Sequence, residues 1–193
     1  MKIGGMQPFT LSDYPGLCAA IIFTLGCNFR CSYCHNKRLL NNNAKPISNE
    51  QVFEFLNAKR GKLDGIVISG GEPTLQPDLH KMLQQIKSLQ YQIKLDTNGT
   101  NPNVLKKLMD RGLVDYIAMD IKAPMFAYHK LAGVPVITSD IEKSIDIIIN
   151  SGINHMFRTT WDKTLLTQSD IDAIQVLLPK SSNFVLQDCK VSG

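Results

Sequence analysis

Short β-rich runs and amphipathic helical segments alternate along almost the whole chain, and no other feature constrains the fold as strongly. The runs are Ala19 to Leu25, Gly65 to Ser69, Gln92 to Asp96, Tyr116 to Asp120, His155 to Thr160 and Asn183 to Asp188. Each has the length and composition of a buried strand. Between them lie apolar residues at helical spacing, with recognisable starts. Ser48 to Gln51 reads as a capping box ahead of Val52, Phe55 and Leu56, and Ser139 to Glu142 as another ahead of Ile145, Ile148 and Ile149. Asn101 and Pro102 form an N-cap and first-turn pair before Val104, Leu105, Leu108 and Met109. Two further helices carry Leu75, Leu79, Met82, Leu83 and Ile86, then Ile171, Ile174, Leu177 and Leu178.

Strands alternating with helices imply a parallel sheet, because a parallel pair needs a crossover and the helix is the crossover. Periodicity alone does not separate an open doubly wound sheet from a barrel. Polar and glycine-rich residues, however, fall consistently just after the strands: a cysteine loop, Gly70-Gly71-Glu72, Thr97-Asn98-Gly99, Lys122 and Arg158. In a barrel such ends converge on one mouth. A partial (β/α)6 barrel is therefore expected. With 193 residues and no Pro/Gly/Ser-rich linker, a single domain over 1–193 is expected too.

Composition excludes several classes. The 21 basic and 17 acidic residues leave a mild +4, with the lysines scattered rather than gathered into a stripe, which does not argue for nucleic acid. The start, Met1 to Gly5, lacks the basic and apolar regions of a signal peptide, and the longest apolar stretch, around Leu17 to Leu25, is too short to span a bilayer. A cytoplasmic protein with reduced thiols and no membrane partner is expected, so the cysteines read as metal ligands rather than disulfides. Cys18, in an apolar run, reads as a small core residue; Cys189, near the C-terminus, receives no role.

Cys27, Cys31 and Cys34 stand at C-x3-C-x2-C spacing directly after the first strand. A cubane of four irons usually takes four cysteines, so three from one loop leave one iron open to an outside ligand, and an open iron does chemistry. The competing reading is a structural zinc site that adds His35. Consecutive side chains such as Cys34 and His35 diverge, which makes that tetrahedron awkward to close. After the second strand comes Ser69-Gly70-Gly71-Glu72-Pro73-Thr74. Its glycines let backbone approach a ligand closely, and Glu72 can accept hydrogen bonds from an ammonium group.

Together these two motifs resemble the radical S-adenosylmethionine (SAM) superfamily, whose CxxxCxφC loop binds a [4Fe-4S] cluster and whose GGE motif holds the methionine ammonium. The resemblance covers essentially the whole chain. It implies that the amino and carboxylate groups of SAM chelate the open iron, and that reduction splits the sulfonium bond to give methionine and a 5′-deoxyadenosyl radical. Tyr33 takes the aromatic position that contacts adenine, and His35 is a neighbour of the cofactor. The leader Gly4 to Gly16, the Cys34-His35-Asn36 ending, Leu95 to Gly99 and Met119 to Pro124 look like the activating enzymes of glycyl radical enzymes. Within that group, the leader and Phe157 to Thr160 look most like the activase of anaerobic ribonucleoside-triphosphate reductase.

That resemblance places Asp96, Asp120 and Lys122 around SAM, and in some members a monovalent cation lies between the two acids. A cofactor bearing both a carboxylate and an ammonium needs cationic partners, here Lys122 and Arg158, and anionic ones, here Glu72, Asp96 and Asp120. Two departures stand out: Leu25 where many relatives carry a polar residue, and no histidine in Leu186 to Lys190. The two spare cysteines cannot furnish a second cluster, so one cluster is expected, fed by an external electron donor such as flavodoxin or ferredoxin. The expected partner is a glycyl radical enzyme. The alternatives are an activase of the pyruvate formate-lyase type, a small-molecule enzyme such as 7-carboxy-7-deazaguanine synthase, and a non-catalytic zinc or iron–sulfur module.

Overall fold

The computed structural model describes residues 1–40 and 45–189. Its elements run β1 (Ile3–Thr10), β2 (Ala19–Thr24), α1 (Lys37–Leu40), α2 (Asn49–Ala58), β3 (Gly65–Gly70), α3 (Leu79–Ser88), β4 (Gln92–Thr97) and α4 (Pro102–Asp110). There follow β5 (Tyr116–Asp120), α5 (Tyr128–Ala132), α6 (Thr138–Asn150), β6 (Asn154–Trp161), α7 (Gln168–Val176) and β7 (Phe184–Asp188). The seven strands lie side by side in sequence order. The first pair is antiparallel and all the others are parallel.

Sequential order decides between the two architectures left open by periodicity. A doubly wound sheet reverses its order at a switch point, and none exists here. Right-handed crossovers that always step the same way put every helix on one face, and the twisted sheet curls around the other. The result is a partial barrel with β1 and β7 as its two edges.

Strand side chains alternate between the faces. Ile66, Ile68, Ile93, Leu95, Ile117, Met119 and Phe157 join Leu83, Ile86, Leu105, Leu108, Ile145 and Ile148 of the helices in one continuous core. Ala19, Ile21 and Val67 face inward and meet Tyr14, from the loop after β1, in a small second cluster. The Tyr14 ring lies 5.9 Å from that of Tyr116. Nearer the C-terminal strand ends the same inward face turns polar, with Ser69, Lys94, Asp96, Asp120 and Arg158.

Several local features differ from the sequence reading. β1 is an additional strand, half exposed and carrying Pro8, whose missing N–H is tolerated on an edge. The Ser48 box forms, with Ser48 Oγ accepting from the Gln51 amide and Gln51 Oε1 from the Ser48 amide, both at 3.2 Å. The expected Ser139 box does not: α6 already begins at Thr138, behind Ile137 and without a side-chain cap, so Ser139 lies inside the helix. A box not foreseen does form at Thr167 and Asp170, ahead of α7. Asn101 occupies the cap position of α4, but its amide donates instead to Thr74 Oγ1 at 2.9 Å. Leu75 sits exposed in a short 3-10 turn before α3, and Leu177 and Leu178 follow the end of α7. No helix among the described residues is long and apolar enough to cross a membrane.

Candidate active site

The cysteine loop leaves the end of β2 and is tied down on three sides. Toward β3, the Gly71 amide donates to Thr24 O at 2.9 Å and the Glu72 amide to Gly26 O at 2.8 Å. A side chain is impossible at this contact, since a Cβ on Gly71 would lie 2.0 Å from Gly26 O, and one on Gly70, at φ +110°, 2.5 Å from the Thr24 nitrogen. Toward β4, Asn98 Nδ2 donates to Asn28 Oδ1 at 2.8 Å and Asn28 Nδ2 donates to Thr100 Oγ1 at 2.9 Å. Toward α5, the Arg30 amide donates to Ala132 O at 2.7 Å, and a Cβ on Gly133 would strike Arg30 O at 2.4 Å.

Glu72 joins the ends of β3 and β4. Its side chain is 1 % exposed. Oε1 accepts from the Thr74 amide (3.1 Å), Thr74 Oγ1 (2.5 Å) and Thr97 Oγ1 (2.8 Å), and Oε2 from the Asn98 amide (2.7 Å). Burial pushes its carboxyl up, and those four donors pull it back. Through these four bonds the side chain holds the Gly-Gly-Glu turn against the Thr-Asn-Gly turn.

Next to this staple runs a chain of charges across three inward-facing strands. Lys94 Nζ pairs with Asp96 Oδ1, Ser69 Oγ donates to Asp96 Oδ2 at 3.1 Å, and the Arg158 guanidinium lies 3.4 Å from the same oxygen. Arg158 Nε donates to Asp120 Oδ1 at 2.8 Å, and Lys122 Nζ to Asp120 Oδ2 at 3.1 Å. Burial alone would raise the Asp120 carboxyl, but Arg158 and Lys122 outweigh it and hold it at about 2. Burial would likewise discharge Lys122 and Arg158; Asp120 reverses this for both, and both stay firmly protonated. Three cations face two carboxylates. Between the two acids, where some members of the resembled group hold a monovalent cation, the Arg158 guanidinium reaches both Asp96 and Asp120, and each of their carboxylate oxygens has a protein cation beside it.

One cavity of about 390 Å³ collects these features. Its lining includes Cys27, Cys31, Cys34, Tyr33, His35, Gly70, Gly71, Glu72, Asp96, Asp120, Lys122 and Arg158, so every candidate residue from the sequence borders one space. Sequence reasoning missed others: Asp13, Ser69, Asn98, Thr160 and Gln187 also line it. It also missed Tyr128, wholly buried, whose hydroxyl accepts from the Lys122 amide at 3.2 Å while its ring meets Phe29 of the cysteine loop edge-on.

The donor set fits a metal–sulfur group with a polar organic cofactor beside it. Burial pushes the Cys27 thiol up to about 11 and raises Cys31, so thiolates there need a cationic metal centre to exist at neutral pH. The Phe29 amide already donates to Cys27 Sγ at 3.3 Å. The Tyr33 hydroxyl, buried in the cavity wall, has no hydrogen-bond partner among the described residues. Such a group is rarely left unpaired. His35 is exposed, and among the described residues no three His, Cys, Asp or Glu side chains, the three cysteines of the loop included, are grouped around a single ion position.

Residues 21–167 match the radical SAM superfamily model, and the chain belongs to that superfamily. Its members work with a [4Fe-4S] cluster and SAM, and this chain is an enzyme of that class. A Methanocaldococcus jannaschii protein provisionally named a glycyl-radical enzyme activating enzyme is 32% identical over 96% of this chain and 78% of its own length. The pyruvate formate-lyase-activating enzyme of Clostridium pasteurianum is 30% identical over 63% of this chain and 52% of its own. The GTP 3′,8-cyclase of Campylobacter lari is 32% identical over 80% of this chain and 50% of its own. Among solved structures, anSMEcpe with bound AdoMet superposes with a TM-score of 0.67 at 16% identity, over 86% of this chain and 49% of that one. The chain thus spans about half the length of several proteins it matches.

Proposed function

We propose that this chain is an activase that removes a hydrogen atom from one glycine of anaerobic ribonucleoside-triphosphate reductase, leaving a glycyl radical. The observation that carries the reading is the single cavity in which the cysteine loop, the Gly-Gly-Glu turn and the ends of β4 to β6 meet. Similarity over nearly the whole chain to a provisionally named glycyl-radical enzyme activating enzyme supports the class. The leader and Phe157 to Thr160 support the choice of partner.

In this reading Cys27, Cys31 and Cys34 hold the cluster and leave one iron for SAM. Bound there, the group would supply the single electron for reductive cleavage of the SAM sulfonium bond. The residues of the chain bind and orient. Lys122, backed by Arg158, offers positive charge to the SAM carboxylate, and the Tyr33 hydroxyl finds its partner in the adenine or ribose, with His35 at the rim. Gly70 and Gly71 bring backbone to the ammonium, and Glu72 holds their turn in place. Asp96 and Asp120 keep Arg158 and Lys122 aligned and face the ribose. The sheet is not closed, and the cavity reaches both edge regions at Asp13 and Gln187. A polypeptide loop can enter there, and an external one-electron donor supplies the reducing equivalent.

Electron paramagnetic resonance on a mixture of this protein, SAM, reductant and the reductase tests the reading. A glycyl doublet on the reductase is expected. A doublet on pyruvate formate-lyase alone changes the partner and keeps the class. SAM cleavage with no protein radical on either favours a small-molecule substrate, the reading that the GTP 3′,8-cyclase match supports.

A further inference from the structure

The lysines and arginines are spread along the chain, but the acids are not. No Asp or Glu stands between Asp13 and Glu50, an interval that holds the whole cysteine loop together with Arg30, Lys37, Arg38 and Lys45. Those four cations equal the formal +4 of the entire protein; the other 17 basic residues balance the 17 acids.

The fold gathers these charges around the root of the loop. The Gly26 amide donates to Leu39 O at 2.7 Å, which folds α1, with Lys37 and Arg38, back on the first turn of the loop. The Leu25 amide donates to Lys2 O at 2.9 Å and the Ile47 amide to Ile3 O at 2.8 Å, which draws Lys2 and the segment from Lys45 to the same place. The Arg30 guanidinium donates to Cys27 O at 2.6 Å and Phe29 O at 2.8 Å, fixing its charge beside the first cysteine. All five side chains are exposed, none lines the cavity, and none is in an ion pair among the described residues.

We infer that this basic face is the docking surface of the electron donor, and that the donor is a one-electron carrier protein with an acidic surface around its redox centre. The inference rests on the proposed reading of the three cysteines as cluster ligands. One electron moves per SAM cleaved: the carrier's reduced centre gives it up and is left oxidised by one electron, and the group held by the cysteines receives it. The other cysteines of this chain, Cys18 and Cys189, lie at the start of β2 and the end of β7, and in this reading the electron is delivered by a separate carrier. Unpaired surface cations concentrated at the point of entry steer an anionic carrier there and orient it on arrival. SAM does not need them, because the cavity has its own cations. The substrate glycine does not need them either, because it enters at the open side of the sheet.

The test uses the cluster-loaded protein and flavodoxin, a small acidic flavoprotein, as the probe. Flavodoxin binding is expected to weaken as salt rises, and to weaken about tenfold or more in Lys37→Glu/Arg38→Glu at fixed salt. SAM binding, and cleavage driven by photoreduced deazaflavin, should stay unchanged in that variant. Unchanged flavodoxin affinity in the charge-reversed protein overturns the inference. So does an intact flavodoxin affinity with a weakened reductase affinity, which would give the face to the protein substrate. If charge reversal costs iron, Lys37→Gln/Arg38→Gln is compared in the same way. A wild-type protein that takes up no iron–sulfur cluster defeats the functional reading instead, and iron analysis shows this before any carrier is added.

Discussion

The two faces of β4 differ by a single step along the chain. Ile93 and Leu95 are fully buried against the helices, while Lys94 and Asp96, also largely buried, point the other way into the charge chain. One face gains stability from apolar area removed from water; the other spends it by desolvating ions that repay only when paired. Here the pairing is complete at both carboxylates, with three cations set against two acids. A strand can thus divide its work between alternate residues, with the dry side holding the wet side in register.

The sharpest break lies in the loop that hangs from this frame. Cys31→Ala is expected to abolish the [4Fe-4S] cluster, as Cys27→Ala and Cys34→Ala are, while Cys18→Ala and Cys189→Ala keep it; iron and sulfide content after anaerobic reconstitution checks this. On the dry face, Leu95→Ala should lower stability by about 2–5 kcal/mol, read from urea unfolding, with SAM affinity retained wherever the protein stays folded. The wet face should show the opposite signature. Lys122→Ala should weaken SAM binding by about 1.5–3 kcal/mol with the iron content unchanged, the range for a charge-assisted hydrogen bond. Equal affinity in the wild type and this variant would remove Lys122 from the site.

The smallest effect is a pH dependence. The Asp120 carboxyl is held at about 2 against an ordinary 3.8, so its stabilising contribution is fully present above about pH 4 and is lost as pH falls toward 2. After allowance for partial exposure this amounts to about 1–2 kcal/mol. The stability gap between the wild type and Asp120→Asn should therefore narrow between about pH 4 and pH 2, measured by urea unfolding. A gap that stays constant would mean the Arg158 and Lys122 contacts do not act on the folded state as the geometry indicates.

Much of this was legible before any coordinates. The strands of the parallel sheet show because each is a short apolar run between turn residues, and the mouth shows because its motifs stand at strand ends. β1 stayed hidden because an edge strand pairs on one side only and needs neither a continuous apolar run nor strict alternation; Gly4, Gly5, Gln7 and Pro8 mask it. Ser139 misled because a capping pattern fits a helix start only where the chain turns, and here the cap position falls two residues earlier, at Ile137. Lys94 was readable in principle: two residues before Asp96 in a buried strand, it must share that residue's face. Tyr128 carried no local signal, since its partners at Phe29 and Lys122 come from distant stretches of chain.

The side-by-side order of the strands has a consequence for how the protein is made. Each strand finds its partner in the next one to be synthesised, so the sheet can lengthen from β1 onward without waiting for a distant segment to return. The site is completed in the same order. The cysteine loop comes first, then the Gly-Gly-Glu turn that locks it, then Asp96 and Asp120, and last Arg158, whose arrival links the two acids. A nascent chain that ends before β6 already carries its three loop thiols but still holds Asp96 and Asp120 unbridged, so the cysteine loop precedes the completed charge network.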